Sequence, residues 1–252
     1  MSYFEEVLKD QSSYLSKAEI ISNFSAEDFD PDGNLEKEIW RRTDRVVFDH
    51  DWTAERHFPE AETQVASLWT PSHFYFAFWC RYTDLNIYTG EDPAVERYGL
   101  WDRDVVEVFL NPCPGQLNQY FEFEVAPNGQ WVDLEIDLRK EPFYDHTWNS
   151  SFHHATRIDS VARTWTCEMK IPAASVHLPV IRPGSECRVN FYRLDGFGDD
   201  TERRQLAWSP TYSANPGAYF HAPARFGKIR FESLPALQRQ PKDQFTLTPL
   251  ER

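Results

Sequence analysis

No stretch of this chain approaches the roughly 18 apolar residues that a membrane-crossing helix requires. The first residues, Met1 to Asp10, lack a basic cluster followed by an apolar segment, which sets aside a secretory leader. A cytoplasmic location is therefore expected. Basic side chains are scarce: 26 Lys and Arg stand against 40 Asp and Glu, for a formal charge of −14. Such a field repels phosphate backbones and anionic headgroups, so neither nucleic acid nor a membrane surface is expected as a partner. The four cysteines, Cys80, Cys113, Cys167 and Cys187, form no C-x-x-C pair, which argues against a zinc site. Cys80, Cys167 and Cys187 sit inside apolar strand patterns, where a free thiol is a small core residue suited to a reducing compartment. A Gly-rich phosphate loop, a G-x-S-x-G elbow and an H-E-x-x-H pair are all missing.

Aromatic residues, in contrast, reach 15% of the chain and include 9 Trp, more than packing alone requires. Apolar and polar residues alternate with a period of two in most segments. Strands are expected over Thr63–Trp69, His73–Tyr82, Asp104–Leu110, Tyr120–Val125 and Trp131–Asp137. Others are expected over Phe152–Ile158, Arg163–Ile171, Cys187–Leu194, Gln205–Trp208 and Lys228–Phe231. Asn128-Gly129, both tolerant of positive φ, is the strongest hairpin signal. Helical signals are short: Phe4–Leu15, Leu35–Arg41 and a turn beginning at Pro172. The pattern predicts an all-β protein, an antiparallel β-sandwich with jelly-roll-like topology. Residues 1–16 read as a helical extension, 17–233 as the sandwich domain and 234–252 as a polar tail. Nothing in the pattern specifies an oligomeric state.

Alternation also sorts side chains by face. Trp165, Cys167, Met169 and Ile171 share the core side of one strand, with Glu168 opposite. Phe121, Phe123 and Val125 point inward, as do Val189 and Phe191. The second faces then carry Tyr120, Glu122, Glu124, Asn190, Tyr192 and, on an ambiguous strand apolar on both sides, Glu107. An ordinary solvated sheet face explains such residues. Their mixture of carboxyl, amide and phenol groups also fits a polyhydroxylated ligand, whose C–H faces lie against rings while its hydroxyls donate and accept.

Several segments, in order, resemble the family 9 carbohydrate-binding modules. They are Pro31-Asp32-Gly33 with Trp40, Leu100-Trp101-Asp102-Arg103-Asp104 running on through Leu110, and Tyr120–Val125. Val189–Arg193, Trp208–Thr211 and Phe220–Gly227 complete the set. The likeness is greater to the stand-alone family 9-like branch. It implies a sandwich that grips a mono- or oligosaccharide, often at a chain end, between two aromatic walls and without catalysis. Trp101 takes the position of one wall and Phe220 that of the other, where the best-known pattern has Trp. Glu107 matches a sugar-contacting carboxylate. Asn190 and Tyr192 fall on the strand that supplies amide contacts, with Tyr192 in place of a glutamine. Glu124 replaces an arginine, exchanging a donor fork for acceptors, which leaves the identity of the sugar open. The resemblance implies no organic cofactor, although family members can carry structural calcium.

Each of these residues also has a bland role to fill. Trp101 could anchor a loop, Glu107 could pair with Arg97 or Arg103, Phe220 could join the core, and Asn190 could satisfy backbone. Asp28, Asp30 and Asp32 before Gly33 look like the start of a calcium loop, but Ile39 stands where the bidentate Glu belongs. A glycosidase needs two carboxyls across a cleft; Glu122 and Glu124, at i and i+2, would lie roughly 7 Å apart. Haem held by Met169 and a histidine, or a partner protein on the aromatic face, completes the set of alternatives.

Overall fold

The computed structural model describes residues 15–198, 202–211 and 220–232. The helix expected at the N-terminus, apart from Leu15, and the tail from residue 234 lie outside them. The strands are β1 (Glu19–Phe24), β2 (Arg45–Phe48), β3 (Thr63–Trp69), β4 (His73–Arg81), β5 (Val105–Asn111), β6 (Gln119–Val125) and β7 (Trp131–Asp137). They continue as β8 (Tyr144–Asp145), β9 (His153–Asp159), β10 (Thr164–Pro172), β11 (Glu186–Asp195), β12 (Arg204–Ala207) and β13 (Gly227–Glu232). Among the described residues helix is confined to one α turn, α1 (Glu38–Arg41), and short 3-10 turns such as Leu100–Asp102. The segment after Pro172 forms plain turns and not the short helix expected there.

All strands join one curled sheet in the order β8-β7-β6-β5-β11-β13-β1-β3-β4-β10-β9, with β12 on β11 and β2 on β3. Pairing is antiparallel except at β1, which runs parallel to both β13 and β3. That makes the sheet mixed. The curl brings its halves face to face as a sandwich. Phe191 of β11 meets Phe76 and Phe78 of β4 edge-on, with centroids 5.5 and 5.8 Å apart. Phe123 of β6 likewise meets Phe152 at 5.2 Å. Between the layers Trp165, Cys167, Met169 and Ile171 are all fully buried, as their alternation required. Met169 is thus fully buried among the apolar side chains of the main core.

Two glycines are placed by necessity. Gly129 has φ +87° at the tip of the β6–β7 hairpin, where Ala126 N–H donates to Gln130 O at 2.8 Å. A Cβ on Gly227 would lie 2.4 Å from the Trp208 ring, so the start of β13 can pass only as glycine. Trp208 itself belongs to the main core, against Phe191 at 5.3 Å.

Outside β3, β4 and β10 a second cluster forms around Trp40, Leu35 and Tyr75. Glu168 lies within it at 1% exposure, not on a solvated face. Its carboxylate accepts from Trp40 Nε1 at 2.6 Å and from the Asp32 and Gly33 amides at 2.8 Å each. Lys37 Nζ adds an ion pair at 2.6 Å. Glu168 therefore fixes the Asp32-Gly33 turn, while Asp32 Oδ1 closes it by accepting from Asn34 N–H. Replacing Glu168 by Gln turns part of an acceptor-only group into a donor facing donors. The expected loss is about 2–4 kcal/mol of stability in chemical denaturation; an unshifted midpoint would contradict this role.

Candidate functional site

The outer face of β5, β6, β7 and β11 is not open to solvent. Segments 84–104, 138–146 and 220–226 fold over it and enclose a second aromatic cluster that includes Phe109, Tyr120, Leu134, Tyr192 and Phe226. Both faces of β5 are therefore buried, which is why its alternation was ambiguous. Between this face and the covering segments lies a cavity of about 350 Å³, near the lower end of ligand-pocket sizes.

Trp101 forms one wall. It is half-buried in the 3-10 turn after Gly99, and its ring stands edge-on to Tyr98 at 5.0 Å and 85°. Its backbone is fixed twice. Arg203 donates to the carbonyls of Trp101 and Arg103 at 2.9 and 2.6 Å. Just beyond, buried Asp104 accepts from the amides of Asn86 and Gly196. Phe220 forms another wall, lying flat on Tyr192 with centroids 4.1 Å apart and a 7° interplanar angle. Tyr98, Phe143 and Tyr144 also line the cavity, with His221, Gln205 and Asp102.

Glu107 and Glu122 line the cavity at 2% and 4% exposure. Glu124, fully buried, is directly opposite Glu107 across the β5–β6 ladder. Like charges at opposed positions repel, and here little offsets them. Glu107 Oε2, Glu122 Oε2 and both Glu124 oxygens lack hydrogen-bond partners among the described residues. Arg97 pairs with Glu91 and Arg103 with a backbone carbonyl, so neither neutralises Glu107. Burial raises Glu107 well above the usual carboxylate range, Glu122's charge adds to this, and Arg203 opposes it. Burial pushes Glu122 up to about 7. Glu124 is raised by burial and then by the charges of Glu107 and Glu122. At neutral pH the group thus holds protons and can donate as well as accept.

Four of the seven residues singled out in the sequence, Trp101, Glu107, Glu122 and Phe220, meet at this cavity. Glu124, Asn190 and Tyr192 depart from the expectation of direct contact and stand behind its wall. Asn190 is spent internally: its Nδ2 donates to Ser209 O and Tyr192 Oη, while its Oδ1 accepts from Ser209 and Phe191 amides. Tyr192 in turn donates to Phe220 O at 2.8 Å. Together they set the Phe220 ring. Tyr98, Phe143 and His221 sit on connections with no period, and Tyr144 on the two-residue strand β8, too short to show one, so alternation points to none of them. His221 packs among Phe109, Tyr120 and Phe143, and desolvation holds it below its ordinary range.

The aspartates before Gly33 do not converge. Asp28 accepts from Thr70, Ser72 and Tyr75, Asp30 pairs with Lys170, and Asp32 with Lys37. Each carboxylate is committed to separate protein donors, and no group of three or more metal-ligating side chains gathers among the described residues. The donor set there does not fit a calcium ion.

Among solved structures, a Bacteroides uniformis protein provisionally described as carbohydrate-binding superposes with a TM-score of 0.68 at 17% identity. That match covers 86% of this chain and 100% of the other. Two structures of a family 9 carbohydrate-binding module from Caldicellulosiruptor kristjanssonii, with cellotriose and with glucose, each give 0.58 at 14% identity. They cover 92% and 88% of this chain and all of theirs. At such identities the likeness concerns the fold. A curated Arthroderma benhamiae relative, named an extracellular protein, is 28% identical over 146 residues, spanning 52% of this chain and 62% of that protein. Residues 32–234 match the family described as Carbohydrate family 9 binding domain-like, and the chain belongs to that family.

Proposed function

We propose that this cavity binds a mono- or oligosaccharide without breaking its bonds. The observation that carries the reading is one aromatic-walled cavity lined by the buried carboxyls of Glu107 and Glu122, each with one oxygen that has no hydrogen-bond partner among the described residues. Trp101 would stack on one face of a sugar ring, with Phe220 as the opposing wall. Glu107 and Glu122 would hydrogen-bond its hydroxyls, while Glu124, Asn190 and Tyr192 position these groups from behind. Family membership and the sugar complexes of similarly folded modules support the reading.

Hydrolysis finds less support in the same geometry. A glycosidase keeps one carboxylate ionised beside a protonated partner, yet burial raises Glu107, Glu122 and Glu124 alike.

Titration calorimetry against a panel of mono- and oligosaccharides tests the proposal. Binding at or below millimolar Kd is expected, and Trp101→Ala should weaken it roughly tenfold, equivalent to about 1.4 kcal/mol. No binding at millimolar concentration, or an unchanged Kd in a folded Trp101→Ala protein, would overturn it.

A further inference from the structure

The cavity is short of positive charge. Asp102, Glu107 and Glu122 contribute carboxyl groups to its wall, and no Lys or Arg side chain does so among the described residues. Arg203 is the cation whose charge reaches Glu107, and its guanidinium is engaged with the carbonyls of Trp101 and Arg103. His221, desolvated, is neutral once the pH exceeds its lowered range. Against this, Glu107 and Glu122 are each at least nine-tenths buried and keep an oxygen without a hydrogen-bond partner among the described residues. Aromatic rings from Tyr98, Trp101, Phe143, Tyr144 and Phe220 share the wall.

One chemical group satisfies both features. An ammonium presents three donors and no acceptor to carboxyl oxygens, and ring faces attract it. A neutral hydroxyl in the same place can pair with the protonated carboxyls but gains nothing from their ionisation, whereas an ammonium does. We propose that the ligand is a cationic sugar, a hexosamine with a free amine or an oligomer of such units. Its ring stacks on Trp101 and its ammonium sits against Glu107 and Glu122. This rests on the carbohydrate reading above and narrows it to a substrate class. The long-range field of a chain with formal charge −14 favours the same ligands.

Binding then has a proton signature. A cation beside Glu107 and Glu122 favours their ionised forms, so a proton held in the empty cavity leaves as the ligand enters. The other groups facing these carboxyls are Glu124 on β6, Tyr192 on β11, Asp102 and Tyr98 on the covering loop, Tyr144 on β8, Arg203 and His221. Burial raises Tyr192, and Tyr98 is pushed up to about 12, so neither phenol loses a proton near neutral pH. Arg203 stays charged throughout.

The test is calorimetry with D-glucosamine, D-glucose and N-acetyl-D-glucosamine at about pH 6.5, in two buffers of different ionisation enthalpy. Glucosamine should bind roughly tenfold more tightly than either neutral sugar. It should release protons, and its affinity should rise between about pH 5 and about pH 6.5. The preference should fall below about threefold in Glu122→Gln and in Glu107→Gln, each checked as folded by circular dichroism. A neutral sugar binding as tightly as glucosamine overturns this proposal and leaves the carbohydrate reading intact. So does a preference that survives both substitutions. Binding of none of the three sugars, nor of any in the wider panel, overturns both.

Discussion

Glu122→Gln should make the protein more stable at about pH 8, by about 3 kcal/mol, and nearly neutral in effect at about pH 5. Burial pushes the Glu122 carboxyl from its ordinary 4.5 up to about 7. A carboxyl raised in the fold favours the native state while protonated. In the unfolded chain it ionises from about 4.5 upward, so native stability falls as pH rises from there through about 7. Above that window the wild type carries the whole penalty. A tenfold change in an ionisation constant is worth about 1.4 kcal/mol, which sets the size. Glutamine keeps the shape and removes the charge, so the penalty goes with it. Thermal unfolding should show a gain of roughly 6–12 °C at the higher pH, given about 2–4 °C per kcal/mol for a chain of this length. An equal gain at both pH values, or a less stable variant at the higher one, would contradict a buried carboxyl held protonated. The same substitution should weaken the preference for a cationic sugar, the usual opposition between a binding site's charge and the stability of its scaffold.

Asp195→Ala has the opposite sign and a comparable size. Arg193 is fully buried at the end of β11, its guanidinium 4.8 Å from the Trp165 ring, and Asp195 Oδ1 accepts from its Nη2 at 2.5 Å. Arg204 holds the other oxygen of Asp195 at 2.6 Å. Removing the carboxylate strands a guanidinium in the core, where an uncompensated charge costs about 3–5 kcal/mol. The double variant Arg193→Met, Asp195→Ala removes both charges and should recover most of that loss. Chemical denaturation of the single and double variants decides the matter. A single variant within about 1 kcal/mol of wild type, or a double variant no better than the single, would refute the assignment. The network also bears on the site. Gly196, next in the chain, donates to Asp104 at the base of the loop that carries Trp101.

Much of this fold could be read from period-two alternation, and its failures have physical causes. Thr63–Trp69 and Trp131–Asp137 match their strands end to end. Glu19–Phe24 gave little signal because its inward positions include Ser22, whose hydroxyl accepts from Ser67 in the interior. Arg45–Phe48 is a short edge strand with half its residues exposed. Alternation puts Glu168 opposite the core and says nothing of the distant turn laid over it, whose Asp32 and Gly33 amides it accepts from. The site shows the same division. Trp101, Glu107, Glu122 and Phe220 came from strand register and ordered motifs. Tyr98 and His221 arrive on loops and Tyr144 on the two-residue β8, where only the tertiary fold brings them to the cavity. Asn190 and Tyr192 sit in register with the site, yet their polar atoms are satisfied by Ser209 and Phe220.

A crystal structure of the protein with the tightest-binding sugar from the calorimetric panel would decide whether this cavity is the binding site. The expected result is a sugar ring stacked on Trp101, facing Phe220, with polar groups hydrogen-bonded to Glu107 and Glu122. A sugar bound elsewhere on the surface, with Trp101 and both carboxyls uncontacted, would contradict it.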